Sequence, residues 1–189
     1  MEPANPAPVR LFLMGENRWH HEQEWPPRRE TPTAFYLHSG GAANTTSGDG
    51  ALSPEIPGAQ APDTYIYDPR DPVMSLMSRD VQMEPHWQAP NDHRQDVLVY
   101  QTSTLEREVQ VTGRVRLVLW VGSDAPDTDF TAKLIDVDPE GRAVNVTYGI
   151  IRCRYRDGYD REALPLAPGE SYELSITLNP TAKIGRAHG

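Results

Sequence analysis

The chain has 189 residues, with 27 acidic against 18 basic side chains and a formal net charge of −9. Its length suffices for one domain with a sizeable core, and its acidity excludes the basic face that a nucleic-acid binder requires. Gly and Pro together account for 32 of the 189 residues, below the roughly 25–30 % of low-complexity disorder, which predicts a loop-rich folded protein.

Taken in chain order, the predicted elements are strands. Val9-Arg-Leu-Phe-Leu-Met14, Thr33-Ala-Phe-Tyr-Leu-His38 and Thr64-Tyr-Ile-Tyr67 are short β-branched and aromatic runs set between Gly, Pro, Ser and Asp clusters. The small, polar stretch between Ser39 and Pro62 predicts an extended loop with one short strand around Gly50-Ala-Leu-Ser53. Proline is concentrated before residue 96, so the rear half reads more smoothly, with strands expected at Val97–Thr102, Arg107–Thr112, Val115–Val121 and Phe130–Val137. Asp138-Pro-Glu-Gly141 predicts a hairpin turn into a long alternating strand from Arg142 to Arg154. Ala167-Pro-Gly-Glu170 predicts another, into Tyr172–Leu178. Trp120, inside an apolar run, is assigned to the core. Many short strands and no sustained helical period predict an all-β sandwich, with the jelly-roll the leading version. The alternative, an Ig-like sandwich, lacks the paired cysteines flanking a tryptophan.

The single cysteine, Cys153, cannot close an internal disulfide, which suits a reducing compartment such as the cytoplasm. No run of about 18 apolar residues is present and Met1 is followed by a Pro-rich polar segment, so neither a membrane span nor a signal peptide is read. A nucleophile elbow, Gly-x-Ser-x-Gly, is absent. The histidines lack metal-ligand spacing, and Asp136-Val-Asp-Pro-Glu-Gly141 begins like a calcium loop but has Thr147 where a bidentate Glu belongs. No metal and no cofactor are expected.

Two clusters stand out. Asp124, Asp127 and Asp129 lie within six residues, and such carboxylates repel unless backbone N–H groups, a cation or a basic partner meets them. A turn capping a strand end is the preferred reading. Trp19, Trp25 and Trp87, the last beside His86, sit in the polar front half and are candidate stacking faces for a carbohydrate or anchors for a protein interface. Arg152, Arg154 and Arg156, two residues apart, predict cross-strand ion pairs.

Taken together, these segments resemble the C-terminal non-catalytic domain of the CocE/NonD hydrolases, the group of cocaine-esterase-like enzymes and X-Pro dipeptidyl-peptidases. The similarity is carried by Val9–Trp19, Glu24–Pro27, Tyr67–Val73, Arg94–Thr102, Ser123–Val137 and Gly149–Arg156, in that order across residues 9–183. It implies a jelly-roll, galactose-binding-like domain that follows an α/β-hydrolase catalytic domain in the same polypeptide, packs on it, helps shape its cleft and contributes to oligomer contacts. The Ser-Asp-His triad and helical cap belong to that upstream domain, so no catalytic residue is carried onto this chain and it is expected to be inactive alone. Residues 1–8 read as a linker remnant. Residues 184–189 read as a tail outside the family pattern, standing where the family continues into a further strand, so a gene fragment is expected. The competing reading is a free-standing carbohydrate-binding module, with Trp19, Trp25 and Trp87 stacking on sugar rings and Asp124, Asp127 and Asp129 accepting from sugar hydroxyls.

Overall fold

In a computed structural model that describes residues 7–76 and 87–185, the chain is all-β. The strands are β1 (Val9–Leu13), β2 (Arg18–Glu22), β3 (Tyr36–His38), β4 (Ala51–Ser53), β5 (Val109–Gly113), β6 (Arg116–Val121), β7 (Asp129–Val137), β8 (Ala143–Arg152), β9 (Tyr172–Thr177) and β10 (Thr181–Gly185). Among the described residues the helical segments are two 3₁₀ turns, Ala89–Asn91 and Cys153–Tyr155. The strands pair β1 with β2, β3 with β4, β5 with β10, β6 with β9 and β7 with β8. The described residues divide into two compact units, one holding residues 7–30, 110–135 and 145–184, the other residues 31–76, 87–109, 136–144 and Gly185.

In the first unit, β1 and β2 form an antiparallel hairpin whose register sets Phe12 opposite Trp19 and Arg10 opposite His21. Period-2 alternation sends Leu11 and Leu13 inward against Ala182, with Trp25 and Ile184 packed beside them. The turn between the strands needs left-handed backbone, which Gly15 (φ +94°) and Asn17 (φ +58°) supply. Gly15 is required a second time, because a Cβ there would stand 2.7 Å from the carbonyl oxygen of Ile184. Met14 donates to Ala182 O at 3.0 Å and accepts from the Ile184 N–H at 2.8 Å, a parallel bridge between the residue after β1 and Lys183 of β10.

A second cluster in this unit gathers Val121, Cys153, Leu166 and Leu174, with Leu119, Phe130, Ile151 and Tyr172 against it. β6 and β9 are antiparallel, with Leu117 opposite Ile176 and Leu119 opposite Leu174. Leu174 and Ile176 are wholly buried, each contributing about 1.5–3 kcal/mol of apolar burial. The other unit is loop-rich. There β3 and β4 pair antiparallel, and Val99 N–H donates to the carbonyl of the fully buried Ala43 at 2.8 Å.

Several expectations are corrected. Trp120 is not in the core: it is 72 % exposed, because Leu117, Leu119 and Val121 take the inward parity of β6. An almost continuous apolar run carries no alternation from which that parity could be read. Thr64–Tyr67 joins no ladder and Ile66 is 89 % exposed, since β-propensity acts only where a pleated surface is there to pack on. Val97–Thr102 makes only isolated bridges, Leu98 with Asn44 and Gln101 with Ala51. The long strand from Arg142 stops at Arg152 and gives way to the 3₁₀ turn. β2 and β10 were not foreseen. The turns at Asp138–Gly141 and Ala167–Glu170 form as expected, closed by Gly141 N–H on Asp138 O at 2.9 Å and Glu170 N–H on Ala167 O at 3.2 Å.

Candidate functional site

The aspartate cluster before β7 is met by arginines. Asp129 receives Nε and Nη2 of Arg152 in a two-pronged fork, both at 2.8 Å. Asp127 receives the backbone N–H of Arg154 at 3.1 Å and its Nε as well. The hydrogen bonds from Arg152 hold the Asp129 carboxyl below the usual carboxylate range, against the opposing effect of burial. Asp124 is exposed, and the loop around it is shaped by the Ala125 N–H donating to Ser123 Oγ at 3.1 Å. The expected cross-strand ion pair is therefore present for Arg152, while the pair of Arg154 joins the turn after β8 to the loop before β7. Arg156 does something else: its guanidinium lies 4.5 Å over the Tyr172 ring and donates to the carbonyls of Leu164 and Cys153.

The second unit repeats this device with residues that the sequence reading did not single out. Arg94 forks onto Asp96 with two 2.8 Å bonds and reaches the Asp71 carbonyl at 2.6 Å. The same hydrogen bonds depress the pKa of Asp96. Thus Tyr67–Val73 is pinned to the segment beginning at Arg94, and Ser123–Val137 to the segment ending at Arg156. Arginine–aspartate bonds tie these motif segments together.

The tryptophans differ in their surroundings. Trp19, 55 % exposed, is covered on one ring face by the guanidinium of Arg10 at 4.5 Å and met edge-on by Phe12 at 5.4 Å. Trp25 is half-buried against the Leu11 and Leu13 cluster. Trp87, exposed and in the other unit, forms a single bridge with Val144. His86 lies outside the described residues.

Among the described residues one serine and histidine touch: Ser53 Oγ and His38 Nε2 are 3.0 Å apart. The same Nε2 stands 3.0 Å from the carbonyl oxygen of Glu55, which can only accept, so the network assigns the proton to Nε2. A protonated Nε2 cannot take the serine proton, and Ser53 Oγ accepts from the Glu55 N–H as well. The pair braces a turn. Asp138, in the calcium-like segment, is occupied by Arg142 N–H at 2.8 Å and Nε at 2.6 Å, while Thr147 donates its hydroxyl to Asn179 O at 2.7 Å. Among the described residues no group of three His, Cys, Asp or Glu side chains is arranged to hold a metal ion. No helix among them is long and apolar enough to cross a membrane.

Comparison with known proteins adds identity to this geometry. The family model of the X-Pro dipeptidyl-peptidase C-terminal non-catalytic domain matches residues 4–183. The cocaine esterase of Rhodococcus sp. (strain MB1 Bresler) is 46 % identical over 180 residues, which cover 93 % of this chain and 31 % of that enzyme. Among solved structures, an α-amino acid ester hydrolase superposes with a TM-score of 0.81 at 28 % identity, over 96 % of this chain and 32 % of that one. An aminopeptidase from the marine sediment archaeon Thaumarchaeota archaeon gives 0.77 at 26 % identity, over 98 % and 32 %. The chain therefore spans about a third of the length of each of these relatives.

Proposed function

Since this chain belongs to the X-Pro dipeptidyl-peptidase C-terminal non-catalytic domains of the CocE/NonD hydrolases, we propose that it is the accessory domain of a serine hydrolase and has no turnover of its own. In this reading the all-β fold is a jelly-roll β-sandwich that packs on an α/β-hydrolase catalytic domain of the same polypeptide and helps shape its cleft. Ester or amide bonds, including those of X-Pro dipeptides, are the substrate class of the whole enzyme.

One observation carries the reading: the match fills 93 % of this chain yet only 31 % of an esterase. The motif segments agree with it, since their aspartates are bound to arginines of this same chain rather than aimed at a shared reaction centre.

A chimera tests it. The matching third of the Rhodococcus cocaine esterase is replaced by this chain, and activity and its thermal half-life are compared with those of the enzyme lacking that third. The chimera is expected to regain activity that the deletion loses. A deletion as active and as durable as the intact enzyme, or a chimera as poor as the deletion, would overturn the reading. The isolated chain is expected to leave a p-nitrophenyl ester unhydrolysed.

A further inference from the structure

We infer that the outer face of β6, with Trp120 as anchor and Val118 beside it, is the surface on which the catalytic domain docks; this deepens, and rests on, the accessory-domain reading. The run Val115-Arg-Leu-Val-Leu-Trp-Val121 is apolar at six of its seven positions, a pattern that fits a sandwich strand covered on both faces. The structure covers one. Leu117, Leu119 and Val121 turn inward, while Val118 and Trp120 stand 45 % and 72 % exposed on the other side.

The neighbouring strand makes this face resemble half of an interface. Register places Thr177 opposite Arg116, Ser175 opposite Val118 and Glu173 opposite Trp120, so Val118 and Trp120 form an apolar pair flanked by Arg116 on β6 and by a polar row on β9. A central aromatic with a polar margin is the usual form of a binding hot spot. Trp120 differs from Trp19, whose ring is already occupied by Arg10 and Phe12. Among the described residues no ring or guanidinium stacks on Trp120. The occupant is argued from length: the esterase sharing 46 % identity with this chain has about two-thirds of its own length outside the match. That remainder is the polypeptide available to cover a strand built for burial on both sides.

The experiment uses the esterase chimera with 5-fluorotryptophan labelling. In the isolated chain the Trp120 fluorine resonance, assigned by a Trp120→Phe variant, is expected to broaden with a soluble paramagnetic agent; in the chimera it is expected to be protected. Trp120→Glu is expected to shorten the half-life of chimera activity by about tenfold or more, the effect of losing an anchor aromatic. The same substitution should leave the melting curve of the isolated chain within a few degrees, as for an exposed site. A Trp120 signal still broadened in an active chimera, or an active chimera indifferent to Trp120→Glu, would sink this surface assignment while leaving the accessory-domain reading intact. Protection that already appears in the isolated chain and rises with its concentration would assign the face to a second copy instead. An inactive chimera would remove both.

Discussion

The carboxylate of Asp127 holds Arg154 twice, by its backbone N–H at 3.1 Å and by its Nε. The loop before β7 is thereby tied to the turn that ends β8. Asp127→Ala removes both acceptors and opens the backbone N–H to water, an expected cost of about 1 kcal/mol or less, as for an exposed pair. Asp127→Asn keeps a carbonyl for that N–H and should lose roughly half as much by the same reasoning. Urea melts of the two variants measure the difference. Equal losses would mean that only the charge matters.

Acid should weaken the fold through Asp96 and Asp129. Hydrogen bonds from Arg94 and Arg152 depress both carboxyls below their unfolded value. Their stabilisation is therefore complete above the unfolded pKa of about 4 and is lost as pH falls through the lower folded value. The urea midpoint is expected to be flat from about pH 7 to 5 and to fall below about 4. The double variant Asp96→Asn with Asp129→Asn should flatten that fall, and an unchanged slope would reassign it to other carboxylates.

Alkali should weaken it through Tyr100. Its hydroxyl is held protonated well above the usual tyrosine range, first by burial and then by the hydrogen bond it donates to Asp63 at 2.6 Å. A raised pKa on a neutral acid gives stability that is present below the unfolded value of about 10 and lost above it. Asp63 also accepts from Ser39 Oγ and the Ala43 N–H. Tyr100→Phe should cost about 1 kcal/mol and remove the slowest step from the absorbance titration of tyrosinate. A wild-type protein whose tyrosines all ionise together while still folded would contradict this.

Gly50 is fixed by space alone. A Cβ at that position would stand 2.0 Å from the carbonyl oxygen of Val99 and 2.9 Å from Cβ of Ala43. Gly50→Ala is expected to lower stability by about 1–3 kcal/mol, as overpacking does, whereas Gly58→Ala, with nothing within 4 Å, should be neutral or slightly stabilising. Thermal melts of the pair decide it.

Cys153 is wholly buried, and burial first among several influences raises its thiol pKa. Ellman's reagent is expected to react with it only as the protein opens, so the labelling rate should track urea concentration through the unfolding transition. Immediate reaction in buffer would show that the cluster around Leu174 opens readily.

What could be read from the chain follows from where the information lies. β7 was legible because every second residue from Phe130 to Asp136 turns inward, and β9 for the same reason. Trp120 was misplaced because β6 is apolar on both faces, so its sequence has no parity. β2 reads Arg-Trp-His-His-Glu and shows no apolar alternation; it is a strand because the Gly15 and Asn17 turn folds it back on β1. β10 exists through its pairing with β5, a contact no local window contains. At the candidate site, two-residue spacing points to ion pairs for Arg152 and Arg154 but not to Asp129 and Asp127 as their partners. The pairs of Arg94 were not foreseeable, since its two aspartates come from segments separated by more than 20 residues.

The bridge between Met14 and Lys183 has a consequence for biosynthesis. The inner face of the first hairpin, Leu11 and Leu13, is completed by Ala182 and Ile184, which a ribosome adding about 5–20 residues per second delivers roughly 10–30 s later. During that interval Leu11 and Leu13 lack the residues that cover them in the folded domain. Synthesis of β1 and β2 thus runs well ahead of the strand that closes over them, and any product truncated before β10 would leave two leucines of that hairpin uncovered.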